Sequence, residues 1–576
     1  MTDQHGPNPA GLIRLYFGAI ALAALALAAV GGLLGYSAVP YWDMWDGHLA
    51  FFLDLPEAGP GLWWSQHNEH RILLARLLFY ADLQWFDGAG WPLIAVNYAL
   101  MLGNVALFTL ALRRALTGAR DSLLAPALIP LLAAWLALWM QHENLLWGFQ
   151  SQFFLAQLLP ALALYLLHRA ADSKRIDGPF LAACAVGVAS LGTMANGVVA
   201  LPLMTLLALL AHQGQARVLC LTALTTAGIV FYFHDFTPVA SHGSLGEALR
   251  QDPLELAHYA LLYLGSPFHH LAGGGRPGLA LATLAGAGLV AVTGYRGVRW
   301  LLGPRRLTLE AAMLAFVVYI AGTALASGGG RLIFGLEQAL ESRYSTPALL
   351  AWASLLVACA PALVRLPRRA RLGLLAGAGV LSLAMLVLQA QALEPRTDTR
   401  FQRQAAALAL SLQINDPARI QAIYPKADTP LRLAERAQAA GVTVLAQPPL
   451  ADARRALDAP VPIEPSGDCI GFLDDSTLLA HEPDYLRVSG WVHAPAADRP
   501  PALVQLLDDE GRAVGVALTG GHRPDVAKAV ASEARHAGFT GYLQRAARGR
   551  PLTVQGLHGP ACRGPLPRSE PPEATP

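Results

Sequence analysis

The sequence predicts an α-helical polytopic membrane protein with a small C-terminal β-sandwich domain, and three observations predict it. Only 14% of the 576 residues are charged while 54% are hydrophobic, and the mean hydropathy is +0.39; soluble globular chains carry about 25% charged residues. The apolar residues gather in runs approaching the roughly 20 residues that a helix needs to cross a bilayer. Towards the C-terminus those runs give way to short alternating segments set between Gly, Pro and Asp, which is the pattern of strands. The same composition excludes disorder, collagen and coiled coil. A net charge of +2 gives a nucleic-acid partner no electrostatic support.

Eleven runs are read as spanning helices: 12–35, 91–112, 122–140, 151–167, 180–194, 197–212, 217–234, 278–294, 309–327, 346–364 and 371–392. Two weaker stretches, 71–86 and 256–271, mix apolar residues with Arg, Asp and His, and are read as interfacial or partly inserted helices beside a pocket. The first run exceeds the roughly 7–15 apolar residues of a signal peptide and has no small-x-small cleavage site before Tyr41, so it is an uncleaved helix.

Threading the eleven runs alternately puts the basic loops on one side: Arg113, Arg114 and Arg120; His168, Arg169, Lys174 and Arg175; Arg217; Arg296, Arg299, Arg305 and Arg306; Arg365, Arg368, Arg369 and Arg371. Basic residues of short loops stay in the cytoplasm. The N-terminus is then cytoplasmic and everything after about residue 393 lies outside. Cys184, Cys220 and Cys359 fall inside spans, where a thiol is a small apolar group. Cys469 and Cys562 bracket one compact segment and can pair in an oxidising compartment, or stay as two thiols. Lysine is scarce (Lys174, Lys426, Lys528) beside abundant Ala, Leu and Arg, which points to a bacterial inner membrane with the tail in the periplasm.

Charge is costly in mid-membrane, on the order of 3 kcal/mol per group, so polar chemistry should collect in the loops. The outward loops carry more acid, amide and imidazole than their lengths require. The first holds Asp43 and Asp46, three residues apart and on one face of a short helix, among Tyr41, Trp42, Trp45 and Phe51. Aromatics of this kind favour the membrane interface and stack on sugar rings. A solvated loop or a helix cap is the plainer reading of the two acids. The same loop ends in His67-Asn68-Glu69-His70-Arg71. Zinc ligation there lacks the His-Glu-x-x-His spacing, and pocket lining is the reading taken. Further outward groups are Gln141-His142-Glu143-Asn144, Met194-Ala195-Asn196-Gly197, His234, Asp235, His242, and His269-His270. The last short outward loop carries Gly328-Gly329-Gly330-Arg331 and then Arg343-Tyr344. Two arginines at a bilayer surface can grip a phosphate through forked hydrogen bonds; Arg343 could instead pair with Glu337 or Glu341 and pin the loop.

This layout resembles the GT-C integral-membrane glycosyltransferases, which take sugars from polyprenyl-phosphate donors. The likeness rests on a first span followed by a large outward loop with acids (Asp43, Asp46), an Arg-Tyr with a following proline at a late helix start (Arg343-Tyr344, Pro347), and a trailing extracytoplasmic domain. Ile423-Tyr424-Pro425 and Gly441-Val442-Thr443-Val444-Leu445 are similar to the linker region of some bacterial members. The usual acidic signature is an adjacent pair, whereas Met44 and Trp45 separate the two acids here. The resemblance implies hexosyl or pentosyl transfer to a cell-envelope glycan or lipid acceptor. Asp43 or Asp46 would be the general base, Arg331 and Arg343 would hold the departing phosphate, and His67, Glu69, His70, Arg71 and Tyr344 would line the substrate pocket. No cofactor is assigned, and a divalent metal is left open.

The tail adds amphipathic helices at 399–414 and 430–440, a linker marked by Pro448, Pro449, Pro460, Pro462 and Pro465, and strands at 485–492 and 502–507. Val488-Ser489-Gly490-Trp491, Arg523-Pro524-Asp525-Val526 and Ala537-Gly538-Phe539 resemble a β-sandwich module seen beside bacterial carbohydrate enzymes. The expected organisation is a transmembrane domain over 1–395, a helical periplasmic linker over 396–465, the sandwich over 466–566 as spacer or glycan binder, and a disordered Pro- and Glu-rich end over 567–576. A transporter or flippase of lipid-linked glycans would show paired repeats and charges deep in spans, and neither is evident. A glycan polymerase or ligase is chemically adjacent to the transferase, and a non-catalytic envelope membrane protein would serve only to display the sandwich.

Overall fold

A computed structural model of the chain describes residues 9–118, 123–239, 243–465, 467–497 and 499–568. Arg120, His242 and the end of the chain from Ser569, the greater part of the expected disordered tail, lie outside the described residues. The structure divides into two compact units: Met1–Leu34 with Gly61–Leu77 and Leu93–Glu394, and Gly35–Pro60 with Leu78–Pro92 and Pro395–Pro576.

The first unit is a helical bundle. Nine of its described helices are long and apolar enough to cross a membrane: Pro9–Gly35, Trp91–Ala115, Ala125–Leu146, Gly148–Arg169, Gln215–Phe233, Gly275–Leu302, Leu309–Phe334, Ser342–Leu363 and Arg368–Leu393. The chain is thus built as a multi-pass membrane protein. The two remaining runs of the expected eleven also form helices, Gly178–Gly192 and Ala195–Leu210, but these are shorter. At about 1.5 Å per residue each reaches little over 20 Å, less than the roughly 30 Å hydrocarbon core. The cause is local: the chain tightens into narrow turns at Ser190–Gly192 and Ala195–Val199. Gly197 lies so close to the Ser190 carbonyl that no Cβ fits there.

Close packing replaces the hydrophobic effect as the force between helices in lipid, and the bundle shows it. The stretch read as interfacial, Pro253–Leu271, buries Leu256, Tyr259, Leu262 and Tyr263 inside the bundle. A Cβ at Gly265 would overlap the Ala282 carbonyl, and one at Gly286 the Leu261 carbonyl. These glycines let two backbones touch, which seats the helix among its neighbours in the bundle.

An unpaired polar group in lipid costs several kcal/mol, and several buried ones find partners within the bundle. Trp135 Nε1 donates to Leu349 O at 3.0 Å and the Tyr319 hydroxyl to Ala156 O at 2.6 Å. Gln389 donates to Ala24 O at 2.7 Å and accepts from Trp139 N at 2.9 Å.

The second unit joins helices Thr397–Ser411, Asp428–Ala439 and Leu450–Asp458 to one eight-stranded sheet. The strands are β1 (Gly467–Asp468), β2 (Ile470–Leu478), β3 (Tyr485–His493), β4 (Leu503–Leu507), β5 (Ala513–Gly521), β6 (Gly538–Gln544), β7 (Thr553–Leu557) and β8 (Cys562–Pro565). Their order is β1-β8-β7-β4-β5-β6-β3-β2. The two edges, β1 and β2, are consecutive in the chain, so the sheet curls on itself as a half-barrel in place of the expected sandwich. Cys469, between those edges, is disulfide-bonded to Cys562 with Cα atoms 5.1 Å apart.

Strand alternation divides the side chains between two cores. Leu486, Val488, Val504, Leu506, Phe539 and Val554 fill the inside of the curl. Leu503, Val516, Leu518 and Tyr542 face outward onto Leu408, Leu410, Leu433, Leu445 and Leu457 of the helical layer, and the same core takes in Val39, Trp45, Leu49 and Leu83 from the N-terminal half. The region expected as a linker is therefore a packed layer. Its prolines bound the helix Leu450–Asp458 and lead Val461 onto the sheet, where Gln505 and Gln555 bond its N–H and carbonyl at 3.0 and 2.6 Å.

Candidate functional site

In the membrane unit, loops distant in sequence meet at one end of the bundle. His67 and His70 exchange main-chain hydrogen bonds of 2.8 and 2.9 Å. Asn68 takes a left-handed φ of +47° in the turn between them, a conformation Asn tolerates. The turn presents Glu69 at its tip.

Below it, Arg71 is 5% exposed and gives its guanidinium to main-chain carbonyls: Nε to Tyr232 at 2.7 Å, and the two Nη groups to Trp64 at 2.6 Å and to His234. Arg71 therefore holds the loop in place. The His67 ring packs edge-on to Phe149 at 5.3 Å.

Glu69 lies 3.7 Å from His70 Nε2 and 4.0 Å from Arg331. Because His70 Nδ1 accepts the Ala195 N–H at 3.2 Å, a neutral His70 carries its proton on Nε2, towards Glu69. Thus the 64–71 loop, the turn at Ala195, the end of helix Gln215–Phe233 and the end of helix Leu309–Arg331 converge.

Arg343 opens the helix Ser342–Leu363. A cation at a helix N-terminus opposes the macrodipole, and Glu143 corrects this: its carboxylate is 3.6 Å from the Arg343 guanidinium and accepts the Arg343 N–H at 3.2 Å. The partner of Arg343 is thus Glu143, from a different loop than Glu337 and Glu341. Ser342 Oγ accepts Glu143 N–H at 3.1 Å, and Asn144 Nδ2 donates to Arg343 O and Thr346 Oγ1, each at 2.8 Å. The Arg343 guanidinium lies 5.3 Å from the centre of the Tyr344 ring, which packs on Tyr263.

Arg331 and Arg343 side chains remain 29% and 25% exposed, and their contacts of 4.0 and 3.6 Å to Glu69 and Glu143 fall short of the forked geometry that saturates a guanidinium. Both keep donors that an anion can use.

In the second unit, the acidic loop is tightly placed. Trp42 has φ +47° while its N–H donates to Ile423 O at 2.8 Å, and the residue is 44% exposed. A bulky residue in this region is strained, and such strain clusters at functional sites. The Arg403 guanidinium lies 4.0 Å over the Tyr41 ring.

Asp43 follows in the narrow turn Trp42–Met44, and Asp46 is the second residue of a widened helical turn, Trp45–Ala50, of a kind frequent at functional sites. Asp46 Oδ2 accepts the Tyr424 hydroxyl at 3.1 Å. Partial burial and then the charges of Asp46 and Asp43 push that hydroxyl up to about 12, so Tyr424 stays a donor at neutral pH.

Beneath the loop, His48 and Asp82 are fully buried and 3.5 Å apart. Asp82 Oδ1 accepts the Gly90 N–H at 3.1 Å.

Glu143, Tyr424, His48 and Asp82 were not among the expected site residues. Glu143 stood in a loop already rich in amides, Tyr424 in the segment Ile423-Tyr424-Pro425 and Asp82 in the mixed stretch 71–86, but no local pattern gave any of them a site role. Among the described residues no group of three or more His, Cys, Asp or Glu is placed to hold a metal ion. Comparison with protein-family models, curated proteins and solved structures finds no match to this chain.

Proposed function

We propose that the chain is a bacterial inner-membrane glycosyltransferase that moves a sugar from a polyprenyl-phosphate donor to a cell-envelope glycan or lipid acceptor on the periplasmic face. One observation carries the reading: two incompletely paired guanidiniums, Arg331 and Arg343, gather at one end of the bundle with carboxylates and imidazoles from separate loops. The topology agrees. With Pro253–Leu271 read as interfacial or partly inserted, and the short pair Gly178–Gly192 and Ala195–Leu210 read as crossing twice or re-entering, the basic loops share one side, which the positive-inside rule makes cytoplasmic. The C-terminal unit is then periplasmic, where a Cys469–Cys562 disulfide persists.

In the reaction, the acceptor hydroxyl loses its proton to a carboxylate base, the role that the resemblance gives to Asp43 or Asp46, as its oxygen attacks the anomeric carbon. The bond from that carbon to the phosphate oxygen breaks, and its electron pair leaves with the phosphate. Charge thus grows on the phosphate, and Arg331 and Arg343 stabilise it where it develops. Arg71 keeps the Glu69 turn in register.

The test is binding of polyprenyl-phosphate hexoses to the full chain. Arg331→Ala and Arg343→Ala should each weaken it about 10- to 100-fold, the loss of one charged hydrogen-bonding partner. Unchanged affinity in both variants would remove the assignment.

A further inference from the structure

The second unit contains a cavity of about 260 Å³ between the segment Pro417–Ile420 and the outer face of β2 and β3, lined by Ala418, Arg419, Asp475, Arg487 and Ser489. Its size is just under the roughly 300 Å³ at which drug-sized ligand sites begin, and suits a single ring.

The charges around it are unevenly settled. Arg487 is neutralised: its Nη1 bonds both oxygens of the buried Asp416 at 2.9 and 3.1 Å, and Asp416 also accepts the Tyr542 hydroxyl at 3.0 Å. Arg419 and Asp475 are not. Arg419 makes one hydrogen bond, from Nη2 to Thr540 Oγ1 at 3.1 Å, and its Nε is buried with no acceptor. Asp475 accepts only the Thr477 hydroxyl, at 2.8 Å. Among the described residues neither forms an ion pair, so a guanidinium and a carboxylate border one small space without pairing.

We infer that this cavity binds one neutral, polyhydroxylated ring: a hexose unit of a glycan. The charge balance calls for a ligand of no net charge, and a ring of hydroxyls meets it with neutral donors and acceptors. An anion that satisfied Arg419 would be repelled by Asp475, and a cation that satisfied Asp475 would be repelled by Arg419. Adjacent sugar hydroxyls accept from one and donate to the other, and the Ser489 hydroxyl serves either role. The site is independent of the transferase reading, because it rests only on residues of the second unit.

Saturation-transfer NMR on the full chain in lipid nanodiscs, free of glycoside detergent, tests it with the methyl glycosides of glucose, galactose and mannose. At least one should bind with a Kd on the order of 1 mM. Asp475→Asn and Arg419→Gln should each weaken it about 10-fold or more, the counterpart of about 1.4 kcal/mol for a hydrogen bond to a charged group. Inorganic phosphate and glucuronate should fail to displace it. Asp475 is exposed, so its variant folds and decides alone if Arg419→Gln does not. No binding by any glycoside, unchanged binding in Asp475→Asn, or displacement by phosphate would each overturn the assignment.

Discussion

Replacing Asp82 by Asn should tilt a pH profile that the wild-type pair keeps level. His48 and Asp82 side chains are 1% and 0% exposed. Burial pushes His48 down from 6.5 to about 3 and Asp82 up from 3.8 to about 7. A raised acid contributes stability below its unfolded pKa that is lost as pH climbs to the folded one; a lowered histidine contributes stability above its unfolded pKa that is lost as pH falls to the folded one. Between about pH 4 and 6.5 the folded pair keeps its proton on Asp82, whereas the unfolded chain keeps it on His48. Each state binds one proton, so the two slopes cancel.

Asp82→Asn preserves an acceptor for Gly90 N–H and deletes one of the two slopes. Local stability should then rise with pH by about 1.4 kcal/mol per unit, roughly 3 kcal/mol across the window. Native-state hydrogen exchange on peptides covering 45–50 and 78–86, corrected for intrinsic rates, reads this directly. A variant profile parallel to the wild type would refute the reasoning.

Three further variants give outcomes in stability. Arg71→Met leaves one buried and two part-buried carbonyls without their charged donor and should cost about 3 kcal/mol, seen as a clear fall in Tm. Arg331→Ala, which loses only a part-exposed contact at 4.0 Å, should shift Tm little, by about 0–1 kcal/mol. Cys469→Ser should lower the stability of the second unit by about 2–5 kcal/mol, because the bond closes a separation of 93 residues. Reduction should lower the urea midpoint of the wild type and leave that of the variant unmoved.

The helices were legible because a run of apolar residues is a local signal, and all eleven runs are helical. Whether a run reaches across a membrane depends on where it turns. Gly197 against Ser190 shortened two of them through a contact that hydropathy does not register. The strands at Tyr485–His493 and Leu503–Leu507 followed from alternation. Alternation fixes which side chains share a face but not which strands pair, so the half-barrel was not visible. The inclusion of Val39, Trp45 and Leu83 in the second unit's core was likewise hidden, since those stretches look like ordinary interhelical loops.

At the site, residue types pointed to Arg343 and Glu69. The partners were not legible: Glu143 meets Arg343 across 200 positions, and Tyr424 meets Asp46 across 378. Pairings of that range come from tertiary packing, which leaves no local pattern.

Sugar transfer from polyprenyl-phosphate hexoses and pentoses, measured in membranes carrying Asp43→Asn, Asp46→Asn or both, tests the central claim most directly. One single variant should reduce turnover by about 10²- to 10⁴-fold, the contribution of a general base, with donor binding unchanged. Wild-type turnover in the double variant would contradict it.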